Sequence, residues 1–263
     1  MPRSPICDDA ALRVLNCEQV AAFRRDGFVV LPGFFDTAAM RRITAWVDEV
    51  TAWPEQPGRH MVYYEDSLCV PGTRVIQRIE DLTPFHDGFR ALYCNSRLSE
   101  VVAELLGEPA VLFKDKINFK LPGGDGFKAH QDQQAGWSTY ASYFITALVS
   151  IDAAREDNGC LELAAGWHAR GLLGKEWAPL DAKVSADMDF KPCPTAPGDV
   201  VLFDSFVPHR SGSNLSAQPR RVLYVTYNRA SEGDHRVRYF ADKRRSFPPD
   251  IERLPGKTYT FRV

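Results

Sequence analysis

Histidine and methionine are scarce in this 263-residue chain, at six and four, and the six cysteines include no CxxC pair. Cysteines scattered as Cys7, Cys17, Cys69, Cys94, Cys160 and Cys193 point to reduced structural thiols, against a zinc-cysteine site or a disulfide framework. No stretch approaches the roughly 18 uninterrupted apolar residues of a membrane span, and the opening MPRSPICDDAALRVLN has no apolar leader core. Nor is there an excess of charge: 32 basic against 34 acidic residues leave a formal net charge of -2. Bulk electrostatics therefore gives no reason to expect nucleic acid or an anionic membrane as partner, and any anion recognition should be local. The chain is expected to be cytoplasmic, with a small-molecule partner.

What is present is ordinary globular material, 44% hydrophobic and 25% charged, enough for one large core. Residues 1–263 are expected to form a single domain. Its first 110 residues read as a mostly helical flank, with helices at EQVAAFRRDGF, at DTAAMRRITAWVDEVTAW behind a capping Asp36, and at RLSEVVAELLG closed by Gly107. Between the first two, GFVVLPGFF reads as a strand and turn. The texture changes in residues 111–240, where VLFKDKINFK, YFITALVSID, CLELAA, DVVLFDSFV and RVLYVTYNR alternate with Gly, Pro and Asn punctuation. Short strands without long helices between them argue for an antiparallel barrel or sandwich core. Asn158-Gly159 is the strongest hairpin signal among the turns. Residues 241–263 are left as a C-terminal tail. Along 114–121, Lys114, Lys116, Asn118 and Lys120 share one strand face and Ile117, Phe119 and Leu121 the other. That pattern alone leaves open whether the polar face meets solvent or a cavity.

HQDQQAGW, residues 130–137, raises a metal question. On a strand, residues two apart project to one side, so His130 and Asp132 could offer an imidazole and a carboxylate to one ion. His209, where PGDVVLFDSFVPHRSGSN passes from an apolar run into a polar loop, is the best third ligand. Two histidines and one carboxylate on one face of an ion leave the positions that Fe(II) needs for a cosubstrate and O2 together. Zinc would favour a closed tetrahedron, for which no fourth ligand is evident. The other histidines, His60, His86, His168 and His235, read as surface or packing residues. Eleven residues beyond His209 stands Arg220, whose rigid donor fork could anchor the far carboxylate of a dicarboxylate such as 2-oxoglutarate. Periodicity does not choose between Arg220 and Arg221.

Taken together these motifs resemble the phytanoyl-CoA dioxygenase-like branch of the Fe(II)/2-oxoglutarate-dependent oxygenases, over nearly the whole chain. The resemblance is carried by EQVAAFRRDGFVVLPGFF, INFK, HQD, DNGCLELAAGWH and PGDVVLFDSFVPHRSGSN followed by the arginine. It implies a double-stranded β-helix (jelly-roll, cupin-like) core flanked by N-terminal α-helices. It also implies Fe(II) on His130, Asp132 and His209 as catalytic centre, and Arg220 rather than Arg221 on the cosubstrate. Similarity to the ectoine hydroxylase type adds Asn118, Phe127 and Ser211 to the 2-oxoglutarate pocket, and so turns Asn118, Lys116 and Lys114 inward. One departure is Ala165-Gly166-Trp167-His168, where the family usually has Pro-Gly-Ser-His. Halogenating relatives replace the carboxylate that Asp132 supplies here, so hydroxylation is the implied outcome.

For the substrate, Lys114, Lys116, Gln131, Gln133 and Trp137 are the leading contacts, with Gln134, Tyr140, Tyr143, Arg170 and Arg238 behind them. A looser similarity to aminoalkylphosphonate hydroxylases suits an inward lysine pair. A zwitterion or a natural-product intermediate is equally compatible, and the rival readings are a non-catalytic metal- or ligand-binding jelly roll and a zinc hydrolase. Loops near residues 53–75 and 170–195 are expected to form a lid.

Overall fold

In the computed structural model, residues 12–259 of the protein are described. The chain enters through α1 (Cys17–Asp26), capped by Asn16 and stopped by Gly27 in the left-handed conformation, then β1 (Phe28–Leu31) and α2 (Thr37–Thr51). The Asp36 carboxylate accepts from the Ala39 amide at 2.7 Å, satisfying one of the free donors at the start of α2. Met40, Ile43, Val47 and Val50 form the buried stripe of that helix. α3 (Asp87–Cys94) and α4 (Arg97–Leu106) complete the helical layer, and Gly107 ends α4 at φ 75.

The sheet strands are β2 (Met61–Asp66), β3 (Arg74–Glu80), β4 (Ala110–Lys120), β5 (Phe127–His130), β6 (Phe144–Ser150), β7 (Leu161–Ala164), β8 (Phe190–Cys193), β9 (Val200–Asp204), β10 (His209–Ser211) and β11 (Arg220–Arg229). They form a seven-stranded sheet, in the order β1-β9-β6-β11-β4-β3-β2, and a four-stranded sheet, β5-β10-β7-β8. All pairings are antiparallel. This is the expected jelly roll with a helical annex. One face of the larger sheet joins the helices in the main core, through Ile117, Phe119, Val149, Leu202 and Leu223 among others. Its other face meets the smaller sheet through Leu148, Leu161, Leu163, Val201 and Phe203. Each such side chain taken from water stabilises the fold by about 1.5–3 kcal/mol.

Several expectations are revised. The helical flank contains β2 and β3, so the segment expected as a lid loop at 53–75 includes β2 and the first residues of β3. Its RVIQRIE run carries the β-branched residues Val75, Ile76 and Ile79 that favour a strand, which the helical reading passed over. Asn158-Gly159 is not a hairpin turn: Asn158 ends a 3-10 turn, and Gly159, at φ 75, lets the chain cross from β6 in one sheet to β7 in the other. A Cβ there would stand 2.2 Å from the Gly212 carbonyl oxygen. The tail begins inside α6 (Arg236–Ser246), which packs on β4 and does not trail away from the fold. Cys17 is disulfide-bonded, contrary to the all-reduced expectation, whereas Cys69, Cys94, Cys160 and Cys193 are free thiols; Cys7 lies outside the described residues. No helix among the described residues is long and apolar enough to cross a membrane.

Candidate metal centre and its two cavities

His130 closes β5 and His209 opens β10, and the two are direct register partners. Their ring centroids are 4.3 Å apart. Asp132 does not continue the strand, as the i, i+2 reading assumed; it is the first residue of a 3-10 turn, Asp132–Ala135. That turn still brings its carboxylate to the histidines, and ligand atoms of His130, Asp132 and His209 lie within 4.8 Å of one another. Each imidazole is oriented from behind. Nδ1 of His130 lies 2.7 Å from the Lys128 carbonyl, and Nδ1 of His209 lies 2.9 Å from that of Val207. An Nδ1–H donated to a carbonyl leaves Nε2 as the free base, which is how metal-binding imidazoles are commonly fixed. The Thr146 hydroxyl donates to Asp132 Oδ2 at 3.1 Å.

Electrostatics agrees with that form. Burial, reinforced by His209, pushes the His130 pKa down to about 3, so its ring is neutral. Burial works to raise the Asp132 carboxyl, but His209, His130, Lys116 and Lys114 outweigh it and hold it below the ordinary value. A neutral imidazole and an ionised carboxylate are the protonation states in which these side chains ligate metal.

Two cavities meet at this cluster. The smaller, of about 30 Å³, is lined by Asn118, Phe127, Thr146, His209, Ser211 and Tyr224 among others. Beside it stands Arg220, 2% exposed, with Nε and Nη1 lacking any hydrogen-bond partner and Asn118 Oδ1 equally unpartnered. Arg221 is engaged elsewhere, donating to Asp152 through Nε at 2.9 Å and Nη2 at 3.0 Å, and to Asp48 at 2.7 Å. Lys120, the register partner of Arg220, donates to Ser211 Oγ at 2.7 Å. Burial and the neighbouring Arg220 pull its pKa down to about 7. A buried guanidinium and ammonium side by side, neither in an ion pair within 4.0 Å among the described residues, call for an anion.

The larger cavity, about 570 Å³, reaches from His130 and Asp132 past Lys114, Lys116, Arg78 and Glu80 to a rim of Tyr140, Trp177 and α6. β4 delivers the two lysines to one side as i and i+2 strand residues, paired with Thr226 and Tyr224 of β11, just beyond a bulge at Phe113. Glu80 receives Arg78 Nε at 2.7 Å and Lys243 from α6. Burial opposes its ionisation, but Lys243, Lys114, Arg78 and Lys116 together hold the carboxyl well below its usual range. Burial and Lys114 bring the Lys116 pKa down to about 7.

Not every expected contact faces a cavity. Gln131 and Gln133 do not line either one, because the 3-10 turn at Asp132 sends its flanking side chains behind the cluster. The Gln131 amide donates to the Gly171 and Phe206 carbonyls, at 2.8 and 2.6 Å, and accepts from the Leu173 amide at 2.7 Å. The backbone of Gln133 donates to Ser205. Gln134 grips the Lys175 and Ala178 carbonyls, so these residues hold the 171–178 loop in place. Tyr143 packs against the main core, Arg170 lies on Trp167 and Arg238 on Tyr140. Trp137 and Tyr140 do line the larger cavity. The reading of the sequence missed Arg78, Glu80, Trp177, Tyr239 and Lys243. Only the first two had a visible signal, as i, i+2 neighbours in a short run rich in β-branched residues.

Residues 23–222 match the model of the family described as phytanoyl-CoA dioxygenase (PhyH). The chain belongs to this family. It is 45% identical over 244 residues to the 2-aminoethylphosphonate dioxygenase of uncultured bacterium HF130_AEPn_1, covering 92% of this chain and 93% of that protein. It is 39% identical over 234 residues to the methylphosphonate hydroxylase of Gimesia maris, covering 89% and 88%. The fold matches that of EctD from S. alaskensis, solved with 2-oxoglutarate and 5-hydroxyectoine, with a TM-score of 0.70 at 23% identity over 83% of this chain and 77% of that one. The protein is a 2-oxoglutarate-dependent non-haem iron oxygenase.

Two outcomes are expected at the smaller cavity. Arg220→Ala should weaken 2-oxoglutarate binding by about 2–5 kcal/mol, the usual cost of breaking a buried charge pair, while Arg221→Ala leaves it near wild type; titration calorimetry of both variants decides between them. Lys120 must be charged to hold an anion, so cosubstrate affinity should fall as pH rises above about 7, with proton uptake on binding. Lys120→Met should flatten that slope. The sign is opposite for folding: between about 7 and the ordinary 10.5 the unfolded chain holds the extra proton, so this group favours the fold as pH rises. Binding and melting measured over the same pH range separate the two.

Proposed function

We propose that this oxygenase hydroxylates a C–H bond of an alkylphosphonate, with Lys114 and Lys116 holding the phosphonate. The observation that supports this is the lysine pair itself. Lys114 is buried and Lys116 partly buried on the wall beside His130 and Asp132, and no ion pair within 4.0 Å joins either to a carboxylate among the described residues. Of the carboxylates that act on Lys116, Asp132 belongs to the metal cluster and Glu80 is already held by Arg78 and Lys243. Cations taken out of water without a counter-ion are costly, and a dianionic ligand removes that cost. The two relatives of highest identity reported above act on phosphonates by their names, which supports the same class.

In this reading His130, Asp132 and His209 would hold ferrous iron. Bound there with 2-oxoglutarate and O2, iron supplies the oxidising chemistry that replaces C–H by C–OH, with succinate and CO2 released. The chain does the positioning. Arg220, Lys120, Ser211 and Asn118 hold the cosubstrate's far carboxylate, and Phe127 lies beside them. Lys114 and Lys116 fix the phosphonate so that the adjoining carbon faces the metal cluster. Trp137, Tyr140 and Tyr239 exclude water around it.

A panel of 2-aminoethylphosphonate, methylphosphonate, ectoine and the sulfonate and carboxylate analogues of the first should be scored by succinate and hydroxylated product. Phosphonates should turn over with at least tenfold preference, and Lys114→Met should raise their KM about tenfold or more, as loss of a buried charge contact does, without changing the 2-oxoglutarate KM. Equal turnover of the carboxylate analogue, or an unchanged KM in Lys114→Met, would remove the phosphonate assignment.

A further inference from the structure

Trp177 is the residue of the larger cavity that packing does not explain. It is 48% exposed, and its φ of 66 lies in the left-handed region, where a bulky side chain is a rare and strained choice. The backbone is pinned there by its amide, which donates to the Gln134 carbonyl at 2.6 Å. The indole lies against Gly136, close enough that a Cβ on that glycine would stand 2.0 Å from Cζ2. Glycine at 136 therefore gives the ring its seat, at the rim of the cavity beside Tyr140.

The other aromatic rings of this cavity already carry a cation of the protein. Lys114 lies over Trp137 at 5.4 Å and over Tyr239 at 5.6 Å. Arg238 covers Tyr140 at 5.1 Å, Lys120 covers Phe127 at 5.7 Å, Arg253 covers Phe247 at 4.8 Å and Lys257 covers Tyr259 at 5.0 Å. Among the described residues of the lining, Trp177 alone has none. Indole has the most attractive face for a cation of any side chain.

We propose that the free face of Trp177 receives a cationic group at the end of the substrate remote from the phosphonate, and that Trp177 sets the preference for ammonioalkyl over neutral alkyl phosphonates. This rests on the phosphonate reading above. With the anion on Lys114 and Lys116 deep in the cavity, the alkyl chain runs outward, and the rim is where its far end arrives. Asp242 on the same rim accepts from the Tyr140 hydroxyl at 2.7 Å and is paired with Arg238 and Arg245, so the indole face is the group there with no cation of its own.

The test compares 2-aminoethylphosphonate with propylphosphonate, in which a methyl replaces the ammonium, on wild type, Trp177→Leu and Trp177→Phe. Wild type should favour the amine in kcat/KM. Trp177→Leu keeps bulk without a π face and should lose about fivefold or more of that preference, the size of one cation–π contact, chiefly through KM. Trp177→Phe should restore part of it, and the 2-oxoglutarate KM should stay unchanged in both. A preference that survives Trp177→Leu, or an equal fall for both phosphonates, overturns the assignment. Failure of wild type to turn over either phosphonate would instead sink the underlying substrate reading, and a fall in 2-oxoglutarate affinity would make Trp177 a residue of loop structure.

Discussion

Positive charge buried without enough negative charge to match it is the constraint around which this molecule is organised. Lys114, Lys116 and Lys120 come from β4 and Arg220 from the adjoining β11, all on the face away from the helices, all nearly inaccessible or lining a cavity. Asp132 and Glu80 are carboxylates that reach the outer group; the first belongs to the metal cluster and the second is shared with Arg78 and Lys243. Desolvating such an array costs several kcal/mol per ion unless an anion completes it. On the proposed reading each cavity takes one anion, and the metal cluster lies where the cavities meet.

The remainder of the fold makes that array possible. The main core between the helices and the larger sheet uses the opposite face of β4, where Ile117 and Phe119 are buried, so the strand is anchored by one side while the other holds its charges. The smaller sheet sets His130 against His209 by register. α6 closes the outer end through ion pairs as well as apolar contact: Arg236 bridges Asp81 and Asp115 at 2.7 and 2.6 Å, and Lys243 joins Glu80. Tyr239 and Phe240 are its buried side chains.

The β-rich core, the first two helices and the HxD with a distant histidine were legible in the chain because each has a local signature: period, cap, or ligand spacing. Arg220 and Arg221 were not separable by pattern, since adjacent strand residues begin equally good faces. What differs between them is burial and the carboxylates of Asp152 and Asp48, which are 69 and 173 residues distant in the chain. The glutamines after His130 were misread for a related reason. A strand reading points Gln131 and Gln133 by alternation, but the chain leaves the strand at Asp132, and their amides satisfy loop backbone instead. Glu80, Trp177 and Lys243 come to the cavity only through tertiary contact, from β3, a loop and α6, and no spacing in the sequence links them.

The central claim is that His130, Asp132 and His209 hold one ferrous ion with room beside it for 2-oxoglutarate. Anaerobic titration of the protein with Fe(II) and 2-oxoglutarate, followed by visible absorption, tests it most directly. The expected result is a weak charge-transfer band that saturates at one iron per chain, requires both components and is lost in Asp132→Ala. Absence of the band in the native protein, or its persistence without that carboxylate, would contradict the assignment.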